Sequence, residues 1–321
     1  MTTLFKNFPL GARLMLIFGL LLFNYAFFPF VTSLFILPFY DIEHIKGIMS
    51  GNFAAETDKY IFLTVQGVGS LGAFAFTSLL VAQMETRFVM KRLGLTIKPS
   101  FKVVAVTIFA ILVAQVLIQF LVQINELIPI PAALKFLEEQ GKEAEKITDA
   151  ILKGNSVLLL LVNVVVLAVI PAIGEEFFFR GLVLGDLLKS KVNPAVAIIS
   201  TGLLFSISHM EFNNLLAIWV LGSFLGYLYY SSGSLWLSIA AHFTNNFLLV
   251  VFKYLYNSGY IKSDVADANF PLYSAFISVA LFAGCFYILA KWRKRIDFTV
   301  QLSAPDLTEE EGYEHGHDTF L

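Results

Sequence analysis

The stretch from Val157 to Arg180 reads VLLLLVNVVVLAVIPAIGEEFFFR, and it decides the fold class of the chain. Its apolar part is long enough to cross a bilayer as a helix, which takes about 20 apolar residues. Charged side chains follow directly, with Glu175 and Glu176 ahead of Arg180. Similar apolar stretches recur from one end of the sequence to the other. We therefore expect an all-α, polytopic integral membrane protein.

The composition supports this expectation. Hydrophobic residues make up 57% of the 321 residues, charged residues make up 14%, and the mean hydropathy is +0.75. Soluble globular chains carry about 25% charged residues, so the excess apolar surface here must face lipid. The formal net charge of −2 argues against a nucleic-acid partner, because such partners require a strongly basic surface.

Hydropathy predicts about eight transmembrane helices. The fifth is short and polar at its end, and the first contains Pro29, so it is either one long tilted helix or a broken one. We treat residues 1–297 as one transmembrane domain with its motifs inside residues 171–250. The predicted spans lie near residues 13–38, 60–83, 101–125, 156–179, 194–210, 213–231, 235–256 and 271–291.

The distribution of basic residues predicts the orientation of the spans. If the crossings alternate, the basic stretches at 87–102, 189–191 and 291–295 all fall on one side of the membrane. The loop at 41–59 is acidic and falls on the other side. Basic loops face the cytoplasm. We therefore expect a multi-pass protein with both termini cytoplasmic, in the cell membrane if the source is bacterial.

Two polar segments lie outside the predicted spans. Residues 131–150 combine a partial apolar stripe with many charges, which favours an amphipathic connector helix at the non-cytoplasmic interface. A short solvated connector is the alternative. Residues 298–321 are acidic and are predicted to form a disordered cytoplasmic tail.

Ionisable side chains inside the spans mark the functional region. A central Asp, Lys or Arg costs about 2.5–3.5 kcal/mol on insertion scales, so such groups persist where they pair, meet water or do chemistry. Glu175 and Glu176 point about 100° apart on a helix, which suggests different roles. Arg180 lies four residues after Glu176 and can pair with it. That division leaves Glu175 free for chemistry.

Two further polar positions follow in later spans. His209 ends the stretch FSISH at 205–209, and His242 shares a helical face with Asn246. Each position alone fits a structural residue, such as a buried helix–helix hydrogen-bond pair. Together with Glu175 they supply a general base, potential metal ligands and oxyanion donors, which is the composition of a hydrolytic site.

Three short motifs resemble, in order, those of the CPBP family, which comprises CAAX prenyl endopeptidases and bacteriocin-processing or bacteriocin-immunity proteins. The resemblance covers about residues 155–250. It implies an intramembrane endopeptidase with about eight transmembrane helices. The motifs are Glu175-Glu176-x-x-x-Arg180, Phe205-x-x-x-His209 and His242-x-x-x-Asn246.

The resemblance also implies roles for the site residues. Glu175 would activate the attacking water with help from His209, while His242 and Asn246 would stabilise the oxyanion or help bind a metal. Glu175, His209 and His242 could hold a divalent cation such as zinc, and a metal-independent glutamate mechanism is the other implied possibility. A zincin site is excluded, because the sequence lacks a His-Glu-x-x-His motif. The residues that would orient the site are Glu176, Arg180 and Phe205.

The implied substrate is a membrane protein or a lipidated peptide in the bilayer, and it need not be prenylated. Two other functions are open. A catalytically inactive family member would act as a membrane scaffold or a bacteriocin-immunity protein. A secondary transporter would use an intramembrane carboxylate to relay protons, and it would show inverted repeats, which we do not find in this sequence.

The three motifs must meet at one depth for any of this chemistry. They do so if the helix with Glu175 continues to about Lys189 and the next helix begins at Pro194. With a rise of 1.5 Å per residue, Glu175 and His209 then lie about 21 Å and about 22 Å from that turn. His242 requires a span that begins deeper in the membrane. We therefore predict that the three side chains meet in a recessed, wet cavity that opens to the cytoplasm.

Overall fold

The computed structural model describes residues 8–130, 135–154, 156–263, 270–292 and 298, and within these residues the chain forms helices and no strand. The helices are numbered in chain order. They are α1 (Leu10–Ile36), α2 (Ile42–Met49), α3 (Glu56–Glu85), α4 (Val89–Arg92), α5 (Phe101–Glu126), α6 (Lys135–Leu152), α7 (Val157–Lys189), α8 (Pro194–Ser208), α9 (Phe212–Ser232), α10 (Leu235–Asn257) and α11 (Leu272–Lys291).

Seven of the described helices are long and apolar enough to cross a membrane, namely α1, α3, α5, α7, α9, α10 and α11. Each of the eight predicted spans corresponds to a helix, which confirms the all-α polytopic class. The eighth, α8, has 15 residues and is the short span that the sequence indicated. It ends at Ser208 because the chain then turns at Met210, whose φ of 55° is left-handed.

Helix α7 confirms the predicted extension of the helix that carries Glu175. It runs without interruption for 33 residues, from Val157 to Lys189. Helix α8 begins directly after the following turn, where the Asn193 side chain accepts hydrogen bonds from the first backbone N–H groups of α8. The two helices therefore descend from one turn, as the depth argument requires.

Glycines let the helices around α7 approach closely. A Cβ added at Gly72 of α3 would lie 2.1 Å from the Phe28 ring of α1, and one at Gly174 of α7 would lie 3.1 Å from Phe74 of α3. Membrane helices usually pack through small residues at such crossings, because the hydrophobic effect does not drive helix association within lipid. These contacts fix α7 against α3 next to Glu175.

The contact between α8 and α9 is even closer. A Cβ at Gly202 of α8 would lie 2.5 Å from the Ser223 hydroxyl and 2.8 Å from its backbone nitrogen. One at Gly222 of α9 would lie 3.0 Å from the Phe205 ring. Both glycines are therefore required where α9 passes the residues that precede His209.

A charge cluster ties four helix ends together. It consists of Arg13 of α1, Glu85 of α3, Arg92 of α4 and Asp186 of α7. Arg13 lies 2.5 Å from Glu85 and 2.8 Å from Asp186, and Arg92 pairs with both carboxylates while donating to the Gly181 carbonyl at 2.8 Å. Burial lowers the pKa of Arg92, but the carboxylates of Asp186 and Glu85 outweigh it and raise that pKa above its usual value. We call this side of the bundle the charged end.

The turn between α9 and α10 also lies at the charged end. The backbone N–H of Leu235 donates to the Gly94 carbonyl at 3.0 Å, and the Trp236 indole donates to the Leu95 carbonyl at 2.9 Å. The turn thus rests on the loop that follows α4. His242 is seven residues further along α10, about 10 Å from the turn at 1.5 Å per residue.

Helix α6 packs at the opposite end of the bundle. Asp149 pairs with Lys253 of α10 at 2.7 Å, and the Leu152 carbonyl accepts a hydrogen bond from Asn257 at 2.9 Å. The helix covers most of the segment predicted as an amphipathic connector, whose residues 131–134 lie outside the described part of the chain. Its position closes the end of α10 that is remote from the charge cluster.

The acidic tail predicted at 298–321 lies outside the described residues apart from Phe298. That ring is buried and lies parallel to the Tyr230 ring with 6.0 Å between centroids, and its centroid is 5.5 Å from that of Tyr229. The chain after α11 therefore returns to the end of α9, next to the charge cluster.

The α8–α9 contact gives a test of the packing. Gly202→Ala should destabilise the protein by about 1–3 kcal/mol, because the new methyl group overlaps Ser223 and forces the helices apart. Thermal unfolding in detergent measures the change. Gly284→Ala in α11 is the matched control, since a Cβ there meets nothing within 4 Å. Equal melting temperatures for the two variants would contradict the described α8–α9 contact.

Candidate active site

Glu175, His209 and His242 come together from three helices. The Glu175 Oε2 atom lies 3.9 Å from His209 Nε2 and 3.9 Å from His242 Nε2. This confirms the prediction that the three motifs meet at one depth. The side chains of Glu175 and His209 retain 14% and 28% exposure, whereas His242 is buried. Glu175 Oε2 is itself buried and has no hydrogen-bond partner within the described chain.

Glu176 points away from Glu175 into a fully buried ion pair. Its Oε1 atom accepts a hydrogen bond from Arg180 Nη1 at 2.6 Å. Arg180 also donates through Nη2 to the Gly222 carbonyl of α9 at 2.8 Å. The same carboxylate oxygen lies 2.8 Å from His242 Nδ1. One carboxylate therefore connects α7 to α10 directly, and to α9 through the arginine.

Both histidines have their Nδ1 atoms occupied by acceptors. His209 Nδ1 lies 2.8 Å from the Phe205 carbonyl, and His242 Nδ1 lies 2.8 Å from the Glu176 carboxylate. A carbonyl or a carboxylate can only accept, so both Nδ1 atoms carry a hydrogen. In the neutral imidazoles, the Nε2 atoms that face Glu175 therefore present lone pairs, and each becomes a donor when its ring is protonated.

Phe205 fills the space between these groups. Its ring meets the His209 ring at 4.6 Å and the His242 ring at 5.6 Å between centroids, in both cases edge to face. The Arg180 guanidinium carbon lies 4.5 Å from the centroid of the same ring. Because Phe205 is 1% exposed, it excludes water from one side of the site and holds both imidazole planes.

Asn246 lies one helical turn from His242, but its hydrogen bonds run to other groups. Its Nδ2 atom donates to the Leu167 carbonyl of α7 at 3.3 Å, and its Oδ1 atom accepts from Asn245 at 3.3 Å. The structure places Asn246 beside the site without a direct contact to Glu175.

Pro171 stands four residues after Leu167, whose carbonyl accepts a hydrogen bond from Asn246. Proline has no N–H, so the helical hydrogen bond from residue 171 to the carbonyl four residues earlier does not form. The Asn246 amide satisfies that carbonyl instead. The sequence contains the signal for this contact, since Pro171 stands inside an apolar span where every carbonyl needs a donor. The pairing with Asn246 requires the fold.

Helix α7 also contains a π-helical segment on each side of the two glutamates. Residues Val164–Val169 and Phe177–Leu184 form π-helical segments that flank the regular turn from Ile170 to Glu176. Such segments occur often at functional sites because they change the direction of the side chains that follow. Sequence periodicity gave no sign of them.

Glu175, His209 and His242 have the side-chain types of a metal site. Two imidazole Nε2 atoms and a carboxylate are suitable ligands for zinc. Ligand atoms about 2.1 Å from one tetrahedral zinc lie about 3.4 Å apart, which is less than the 3.9 Å between Glu175 and each histidine. In the described residues, no group of three or more His, Cys, Asp or Glu side chains is arranged to hold a metal. The spacing of these ligand atoms is therefore wider than a tetrahedral zinc requires.

The comparisons with known proteins agree with the motifs. A family model described as Rce1-like, type II CAAX prenyl endopeptidase Rce1-like, matches residues 157–248. The matched segment runs from the start of α7 into α10 and contains all three motifs, which confirms the resemblance stated from the sequence. No curated protein matches the chain. No solved structure matches it either.

The buried pair gives a stability prediction. Arg180→Leu should cost about 3–5 kcal/mol, because it leaves the Glu176 carboxylate buried without its cation. Unfolding of the purified protein in mixed micelles measures the loss. The double variant Arg180→Leu/Glu176→Leu should recover part of it, since neither charge is then buried.

The control is the exposed pair of α6, in which Lys142 lies 2.5 Å from Glu138 at the protein surface. Lys142→Leu should leave the unfolding midpoint unchanged, since an exposed ion pair stabilises little. If Arg180→Leu were as stable as Lys142→Leu, the buried pair would not hold the helices together.

Proposed function

We propose that the chain is an endopeptidase of the CPBP family that hydrolyses a peptide bond of a membrane-associated substrate, because the type II CAAX prenyl endopeptidase model matches residues 157–248. The observation that carries this proposal is the convergence of one glutamate and two imidazoles. Glu175 Oε2 lies 3.9 Å from the Nε2 atoms of both His209 and His242. That arrangement suits the activation of water.

The proposed nucleophile is a water molecule bound to Glu175. A separation of 3.9 Å is too long for a direct hydrogen bond, which spans about 2.7–3.2 Å. A water bonded to Glu175 Oε2 is within reach of both Nε2 atoms. Glu175 is the general base in this proposal, since within the described residues its Oε2 atom has no hydrogen-bond partner, whereas Glu176 is paired with Arg180.

The hydrogen-bonding capacity of water sets the protonation state of the site. A water has two hydrogens, whereas Glu175 and two neutral imidazoles offer three acceptors. One group must therefore carry an extra proton to satisfy all three contacts. His242 is the best candidate, because its Nδ1–H already points at the carboxylate of Glu176, which stabilises an imidazolium.

The reaction then follows from these roles. Glu175 removes a proton from water as the oxygen attacks the carbonyl carbon of the scissile bond. The oxyanion that forms accepts hydrogen bonds from protonated His242 and from the Asn246 amide. The proton held by Glu175 passes to the leaving nitrogen as the carbon–nitrogen bond breaks, so the products are a carboxylic acid and an amine. His209 orients the water in this scheme.

Glu176 and Arg180 hold this machinery in place. Glu176 fixes the ring plane of His242, and Arg180 holds the Glu176 carboxylate in a fully buried pair. Phe205 restricts both imidazoles. The three residues act on the water and the substrate only through other side chains, so we assign them positioning roles.

We propose that the charged end faces the cytoplasm and that the substrate reaches the site from that side. Helices α1 and α7 meet in the charge cluster at that end, and His242 is about 10 Å along α10 from the turn that lies there. A peptide carried by a lipidated chain, or the terminus of a membrane protein, can place a scissile bond at that depth. This orientation puts both termini in the cytoplasm, and in a bacterium it places the chain in the cell membrane.

Loss of the base should abolish hydrolysis. Glu175→Gln keeps the shape of the side chain and removes its basicity, so cleavage of lipidated and unmodified fluorogenic peptides should fall by about 10²–10⁴-fold. His209→Ala should also be impaired.

The control is Glu43→Gln in the exposed helix α2, which should cleave like the wild type. A fully active Glu175→Gln variant would overturn the peptidase mechanism. If no variant or wild type cleaves any peptide while a cellular phenotype persists, the protein is an inactive scaffold or an immunity protein.

A divalent metal is the other proposal for water activation, with zinc held by Glu175, His209 and His242. The distances favour the metal-independent route, so purified protein should keep its activity after exhaustive chelation and should contain less than one equivalent of zinc. Atomic emission on the wild type and on His209→Ala/His242→Ala measures this content. Loss of activity on chelation, with recovery on adding zinc, would contradict the metal-independent proposal.

A further inference from the structure

A chain of three side-chain amides connects α5 to the site. Gln115 Nε2 of α5 donates to Asn245 Oδ1 of α10 at 3.2 Å. Asn245 Nδ2 donates to Asn246 Oδ1 at 3.3 Å, and Asn246 Nδ2 donates to the Leu167 carbonyl of α7 at 3.3 Å. Every donor in this chain points in one direction, from α5 towards α7.

Backbone carbonyls at both ends fix this direction. The Leu167 carbonyl can only accept, so Asn246 must turn its NH₂ group towards it and its oxygen towards Asn245. At the other end, Gln115 Nε2 also donates to the Ile111 carbonyl at 3.1 Å. Gln115 must therefore present its NH₂ group there and towards Asn245. The two ends agree, so the orientation of each amide follows from the network itself.

The chain limits what Asn246 can do. Its oxygen is occupied by Asn245, and one of its two N–H groups is bonded to Leu167. The second N–H group takes no part in the chain of amides, and Asn246 lies one helical turn from His242. Asn246 can therefore offer a donor to the site, while its oxygen is directed towards Asn245.

The surroundings make that reversal costly. Asn245 is 8% exposed, and a buried amide that loses its partner costs about 1–3 kcal/mol. Turning Asn246 over would leave the Leu167 carbonyl without this donor, because the Asn246 oxygen would face it, and would place the NH₂ groups of Asn246 and Asn245 against each other. The polar chain is thus satisfied in one arrangement.

We propose that Gln115 and Asn245 are positioning residues for the peptidase reaction, which keep the Asn246 amide turned so that it donates to the oxyanion. The inference rests on the proposed function, because it assigns Asn246 a role in the transition state. Gln115 lies on a helix that carries none of the three motifs, and it acts through two intervening amides.

The first test separates rate from binding. Gln115→Met keeps the side-chain length and removes the donor, and Gln115→Glu is isosteric and can only accept. Asn245 would turn towards Glu at this position and would draw the Asn246 amide away from Leu167. Both variants should lower kcat by about 10-fold or more with little change in KM. This loss is smaller than the decrease of roughly 10²–10³-fold in kcat that follows deletion of an oxyanion donor. Gln83→Met, at an exposed position in α3, is the matched control and should have wild-type kinetics.

The second test asks whether Gln115 acts through Asn246. In an Asn246→Ala background, Gln115→Met should change kcat by less than about twofold, because the amide that it orients is gone. A purely structural role would give additive losses instead. Melting temperatures of all variants in the same detergent show whether each protein is folded. If Gln115→Met does not fold, Gln115→Glu provides the second variant for the test.

The outcomes distinguish this inference from the proposed function. If Glu175→Gln is inactive while both Gln115 variants have wild-type kcat, the positioning role is wrong and the peptidase mechanism stands. Additive losses in the double variant would also overturn the positioning role. If Glu175→Gln is fully active, the proposed function itself fails.

Discussion

The buried pair of Glu176 and Arg180 is the constraint on which the rest of the site depends. Two charges removed from water cost several kcal/mol each, so the pair depends on close mutual attraction and on further hydrogen bonds. Within the described residues Glu176 Oε2 and Arg180 Nε have no hydrogen-bond partner, so the bonds made by the other atoms carry the pair. Arg180 uses the Gly222 carbonyl of α9, and Glu176 uses the Nδ1 atom of His242 on α10. The three helices must therefore close around one point. Gly222 lacks a side chain at that point, which lets α8 approach as well.

This closure separates the two adjacent glutamates chemically. Glu176 is paired with an arginine and fully buried, whereas Glu175 faces the Nε2 atoms of two imidazoles and keeps partial exposure. An offset of about 100° between neighbouring residues of a helix is enough to place one carboxylate in the protein interior and the other at a reacting centre. Glu176 nevertheless touches the chemistry, because it fixes the ring of His242.

Much of this was predictable from sequence, because the signals are local. The apolar windows predicted a helix for each span, and the four-residue spacing of Glu176 and Arg180 predicted their contact. The depth argument predicted that α7 extends to Lys189. Contacts between helices were not predictable in the same way. Neither the Gly222 carbonyl nor Gln115 carries a local signal, since a backbone acceptor or a glutamine gains its role from its neighbour across the bundle. The π-helical segments of α7 likewise arise from packing and not from residue periodicity.

Pro171 shows how stability and chemistry share one group in this protein. The proline removes a donor from α7, and the Leu167 carbonyl four residues before it accepts a hydrogen bond from Asn246. The same hydrogen bond that repairs the helix also turns the Asn246 amide. Removal of Asn246 would therefore disturb both the helix and the site, so a loss of activity in that variant alone could not tell the two effects apart. A Gln115 variant can separate the two effects, because Gln115 affects the orientation of Asn246 and is not itself the donor to the Leu167 carbonyl. Substitution of Gln115, at the other end of the amide chain, therefore distinguishes the structural role of Asn246 from its proposed catalytic role.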